Sequence, residues 1–131
     1  MTASSVRRAE HEPDCNTAIA AGQIIDDAHL ERMTLGDCRL EQEVLQIFVR
    51  QAAVMMGRIA GGGLSDVAVA AHTLTGSGRG IGAWRVAQAA ERLERASRGG
   101  SDQLNEAIAE LKAAILEASA AIGARLSDPA R

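Results

Sequence analysis

The chain has 131 residues, enough for one domain with a real core and too few for two. Hydrophobic residues make up 47% of it and aromatics only 2%, so alanine and aliphatic side chains must fill the interior, which favours packed helices over a sandwich or barrel. A formal net charge of −3, with no basic stripe interleaved with aromatics, gives no case for nucleic-acid binding, and no apolar run reaches membrane-span length.

Residues 1–22 are mixed, polar and aperiodic and are expected to form a flexible tail. Arg7 and Arg8 are not followed by the apolar stretch of a secretion signal, and Cys15 and Cys38 make no disulfide framework, so a reduced, cytoplasmic protein is expected. His11 and Cys15 could recruit a metal with His29 or Cys38. Pro13 opposes the helix that would align the first two, and no metal site is expected.

A short helix is predicted over about 26–33, with Asp26 as its N-cap. Gly36-Asp37 makes a turn, and Asp37 can cap the next helix. From Cys38 to Ala60, the residues Leu40, Val44, Ile47, Phe48, Met55 and Ile59 form one apolar face, and Gly61-Gly62-Gly63 ends it. Ser65 can cap a helix that runs to about Arg79 and buries Val67, Ala70, Ala71, Leu74 and Gly78. After Gly80-Ile81-Gly82 comes a helix over about 83–97, buried through Ala83, Val86, Ala87, Ala90 and Leu93. Glu91, Arg92, Glu94 and Arg95 read as its solvated face. Ser101 or Asp102 caps the last helix, with the stripe Leu104, Ile108, Leu111, Ile115, Ala118 and Ile122. Short connections make neighbours antiparallel. The expectation is an all-α, up-down-up-down four-helix bundle over residues 23–126, with a short extra N-terminal helix and a C-terminal tail at 127–131.

The third of these helices carries the candidate chemistry. At about 100° per residue, His72 lies roughly 140° from the centre of the buried stripe and should face solvent. Ala68, Val69, Thr75, Gly76 and Arg79 surround it at helical spacing and make a low platform. A mid-helix glycine costs about 0.5–1 kcal/mol relative to alanine, so Gly76 needs a reason. One is close approach by another molecule; the other is fraying, since Gly78, Gly80 and Gly82 follow.

The run His72-Thr73-Leu74-Thr75-Gly76-Ser77, followed by Ile81-Gly82-Ala83, resembles the phosphorylated segment of the histidine phosphotransfer (HPt) domain family, His-x-x-Lys-Gly-Ser and then Leu-Gly-Ala. Ile25-Asp26, Leu30, Leu35-Gly36-Asp37, Leu45 and Ile47-Phe48 look like the opening of such a domain, and Val86-Ala87 through Leu93-Glu94 like its helix after Gly-Ala. The resemblance implies that His72 accepts a phosphoryl group from a receiver-domain aspartate in a multistep two-component phosphorelay and returns it to another receiver. Mg²⁺ would belong to the receiver, with no cofactor in this chain. Thr75 stands where the family usually has lysine. Either Arg79, one turn further on, partly replaces that cation, with Thr75 donating one hydrogen bond, or the phosphoryl group is less stabilised and transfer slower. Ala68, Val69 and Gly76 would form the receiver-docking face. Trp84 lies nearly opposite the stripe of its helix and either packs over the end of the histidine helix or joins that face.

A neutral imidazole can take a phosphoryl group without a base or metal of its own. No Walker loop or protein-kinase signature accompanies it, so a phosphocarrier without kinase activity is expected. Two alternatives stand beside it: an HPt-like module that sequesters a receiver without efficient transfer, and an unrelated helical adaptor. Partners are expected among receiver domains of response regulators and hybrid histidine kinases, with no nucleic acid or membrane. No spare apolar stripe demands a dimer, and a monomer is expected.

Overall fold

The structure of the chain, a computed structural model, describes residues 24–99 and 102–127. It contains α1 (Asp27–Thr34), α2 (Cys38–Gly61), α3 (Leu64–Ile81), α4 (Trp84–Gly99) and α5 (Leu104–Leu126), with no strand among the described residues. The expected tail at 1–22, with His11 and Cys15, lies outside the described residues, as does the chain after Ser127.

Local chemistry sets most of the ends. The Asp26 carboxylate accepts the His29 backbone N–H at 3.1 Å, and Asp37 accepts those of Arg39 and Leu40 at 3.0 and 3.2 Å, so both expected caps form. Ser65 does not cap α3. Gly62 and Gly63 are extended, the helix begins directly after them, and the Gly63 carbonyl accepts the Val67 N–H at 3.0 Å. Gln103, not Asp102, occupies the N-cap position of α5, and Ser101 lies outside the described residues. α3 continues through Gly80 to Ile81, where Gly82 turns left-handed (φ 80°) and ends it.

Side-chain pairs reveal the packing. Gln51 meets Ser77; His72 meets Glu94 and Arg79 meets Glu91; Arg85 meets Glu117 and Arg92 meets Glu110. Along α3–α4 and α4–α5 numbers rise on one helix as they fall on its neighbour, so these pairs are antiparallel, and the short Gly62-Gly63 link turns α3 back along α2. α5 returns to pack on α2 and closes the four-helix bundle, while α1 lies against α2 and α3. Leu30, Leu45, Leu74, Leu93, Leu111 and Ile122 are fully buried at its centre.

The expected stripes of α3 and α4 are buried throughout. That of α2 is rotated: Leu45 and Ala52 join Phe48, Met55 and Ile59 inside, while Leu40 and Ile47 face solvent. On α5, Ala107 enters the core, and Leu104 and Ile108 are only partly covered.

α3 and the start of α4 lie close together at Gly78, where a Cβ would stand 3.0 Å from the Ala87 nitrogen and 3.1 Å from the Ala83 carbonyl. At Gly76 a Cβ would meet nothing within 4 Å. Gly78→Val should therefore destabilise the fold by about 1–3 kcal/mol through overpacking. Gly76→Ala should stabilise it by about 0.5–1 kcal/mol through helix propensity. Urea titrations of the two variants check both signs.

The segment before α1 is anchored at Asp26. Its N–H donates to the Gly82 carbonyl at 3.0 Å, and its carboxylate accepts the Trp84 indole N–H at 3.0 Å. The Trp84 ring lies 4.9 Å from the His29 ring. Arg125 of α5 adds ion pairs to Asp27 and, at 3.3 Å, to Glu41. Burial by itself would raise the Asp26 pKa; the hydrogen bonds from Trp84 and the His29 N–H, with the charges of His29 and Arg32, outweigh it and hold the carboxyl below its usual value. A lowered folded-state pKa stabilises fully above the unfolded value near 4, and the contribution disappears as pH falls through the folded value. Trp84→Phe should lose stability at pH 7, with the deficit shrinking below about pH 4, as urea midpoints across that range would show.

Candidate functional site

The His72 side chain is 76% exposed, on the surface of α3 opposite its buried residues Ala70, Leu74 and Ile81. The amphipathic spacing of α3 thus places the imidazole where the sequence puts it. What touches the ring comes from α4. Nδ1 stands 3.4 Å from Oε1 and 3.3 Å from Oε2 of Glu94. A carboxylate only accepts, so this long contact favours the Nδ1–H tautomer and leaves the Nε2 lone pair free toward solvent.

Glu94 is nearly buried, and the Arg98 guanidinium holds it, with Nη2 2.6 Å from Oε2 one turn along α4. A buried carboxylate is costly to desolvate unless charge and hydrogen bonds compensate, and Arg98 supplies both. The side chains of Ala68, Val69, Thr73, His72, Glu94 and Arg98 line one shallow cleft at the α3–α4 junction.

The expectation that Glu94 lies on a solvated face is therefore corrected. It sits three residues after Glu91 on the charged side, but also four after Ala90 and seven after Ala87, both buried. A carboxylate at the spacing of an apolar stripe was the available signal.

Thr75 is corrected as well. It lies one turn after His72 but is buried, and its hydroxyl donates to the Ala71 carbonyl at 3.0 Å. It presents nothing to the imidazole surface. Arg79 lies about 10 Å along the helix from His72, its guanidinium 3.6 Å from Glu91 in an exposed, weak pair.

The remaining expected positions divide in two. Val69 (63% exposed) and Gly76 flank His72 on the outward surface, with Ala68 half-buried beside the cleft. Gln51 on α2 accepts the Ser77 hydroxyl at 2.5 Å. Ile47 and Val54, one turn either side of Gln51, are about half exposed and continue that surface onto α2. Trp84 belongs elsewhere: its hydrogen bond to Asp26 and its contact with His29 commit it to the α1 corner, which corrects its placement on a docking face.

No group of three or more His, Cys, Asp or Glu side chains able to hold a metal occurs among the described residues. No described helix is long and apolar enough to cross a membrane.

The chain has no match among curated proteins or solved structures. The profile of the Hpt domain matches residues 43–121, from the first turns of α2 to near the end of α5. The matched span exceeds half of the sequence and contains His72 together with the helix that supports it, so the chain belongs to the Hpt domain family, helical domains of histidine phosphotransfer that interact with receiver domains in phosphorelays.

Proposed function

We propose that this chain is a phosphocarrier: His72 takes a phosphoryl group from the aspartyl phosphate of one receiver domain and passes it to the aspartate of another. The observation that carries the reading is an exposed imidazole whose Nδ1 is engaged by a nearly buried carboxylate. In the forward step the Nε2 lone pair forms the N–P bond while the bond from phosphorus to the aspartyl oxygen breaks, and that oxygen leaves with the electron pair. Nδ1 keeps its proton throughout. The positive charge that develops on the ring is met by Glu94, so the electrostatic cost of the transition state falls. In the return step the same Nδ1 proton makes the departing group a neutral imidazole instead of an imidazolate. The exchange is reversible on these terms.

The sequence carries no nucleotide-binding signature, and on this reading the acidic pocket and Mg²⁺ belong to the receiver. The receiver docks over His72, Val69 and Gly76 of α3, with Ala68 at the rim and Ile47 and Val54 of α2 beside them. Small residues let the partner aspartate come within bonding reach, and the exposed aliphatics supply apolar contact area. We place the exchange in the cytoplasm, with the chain acting as a monomer.

The absence of a cation at position 75 favours one second reading, sequestration of a receiver without efficient transfer. A panel of phosphorylated receiver domains, with Mg²⁺, offered to wild type and His72→Gln separates the two. Transfer predicts acid-labile, base-stable label on wild type only; stable binding with no label on wild type supports sequestration. Glu94→Ala should slow transfer at least about tenfold by freeing the ring to rotate and change tautomer, while Glu94→Gln, which retains an acceptor for Nδ1–H, should lose less. Single-turnover transfer rates measure that order.

A further inference from the structure

The family's usual lysine is missing, and Thr75 in its place is buried with its hydroxyl spent on Ala71. About two negative charges must nevertheless be accommodated when a phosphoryl group arrives. We infer that Arg98 of α4 supplies the phosphoryl-binding cation at His72, so that the charge comes from the neighbouring helix instead of from one turn along α3. The inference rests on the phosphocarrier reading and adds to it a residue that touches the transferred group.

Three observations carry it. Arg98 is the cationic side chain lining the cleft with His72, Val69 and Thr73 among the described residues. Its guanidinium is fixed by one contact, Nη2 to Glu94 Oε2 at 2.6 Å, while the side chain stays 70% exposed, which leaves the other donors of the fork available. Glu94 also holds Nδ1 of His72, so one carboxylate sets the positions of nucleophile and cation together. Arg79 has neither property: it lies two turns away and leans toward Glu91.

In the transfer step Arg98 keeps its pairing through Nη2 and donates its remaining N–H groups to the non-bridging phosphoryl oxygens. No proton changes hands at the guanidinium. Charge-assisted, in-place donors of this kind strengthen as negative charge gathers on the transferring group.

The test phosphorylates wild type, Arg98→Ala, Arg79→Ala, Glu94→Gln and the double variant Glu94→Gln/Arg98→Ala with both phosphoramidate and a phosphorylated receiver. The double variant removes the carboxylate that the single change would leave buried without its cation, so a folded protein is available for comparison. Arg98→Ala and the double variant should gain label roughly 10–100-fold more slowly than wild type, and Glu94→Gln alone should not reproduce that loss. Arg79→Ala should stay within about twofold. Guanidinium added to Arg98→Ala should restore part of the rate, and the Arg98 side-chain NMR signals of wild type should shift on phosphorylation. Equal rates for wild type and Arg98→Ala, or Arg98 signals that do not move, overturn the assignment and leave the carrier reading standing. Failure of wild type to take label from either donor overturns both.

Discussion

The close contact of α3 with α4 is the constraint on which the site depends. Two helices come this near only if the residues between them are small, and here Gly78 lies against the backbone of Ala83 and Ala87, flanked by Ala70, Ala71 and Ala90. A larger side chain at Gly78 would push the axes apart. Glu94 reaches His72 across the same seam at 3.3 Å, a distance with no slack to lose. The alanine content and scarcity of aromatics, features of composition, thus set how near Glu94 comes to His72. An interior built from bulky rings would not bring a carboxylate of one helix beside an exposed imidazole of the next.

The outer face of α3 follows the opposite rule. Gly76 has no internal neighbour that forbids a side chain, so packing within the fold does not explain its presence; the docking proposed above at His72 would. The two glycines, two residues and so about 200° apart around the helix, face opposite ways. Gly78 serves packing within the molecule, and Gly76 leaves room outside it. Helix propensity is sacrificed at both positions, which leaves α3 dependent on the bundle for its order.

Much of this was legible in the sequence. The stripes of α3 and α4, the caps Asp26 and Asp37, and the outward direction of His72 follow from 3.6-residue periodicity and short-range hydrogen bonding. What escaped depends on neighbours. The rotation of α2, which turns Ile47 outward and Leu45 in, is decided by where α3 and α5 sit, not by the order of residues within α2. Thr75 is polar and three residues from His72, yet it is buried; Glu94 is charged and sits among other charges, yet it is nearly buried against His72 of α3. Both are facts about a helix–helix seam, and one helix at a time gives no account of them. Ser65 lost the cap to Gly63 for a different reason: the extended glycines started α3 before a side chain could.

The placement of Trp84 has an optical consequence. The chain has one tryptophan and no tyrosine, so its near-ultraviolet absorbance and its intrinsic emission arise almost wholly from one indole. That indole is hydrogen-bonded to Asp26 and faces His29 at the corner where α1 joins the bundle, beyond the far end of the helix that carries His72. Its emission is a local gauge of whether α1 is seated and of the ionisation around Asp26. Changes at the imidazole of His72 leave that gauge largely blind, so the seating of α1 can be followed optically apart from them.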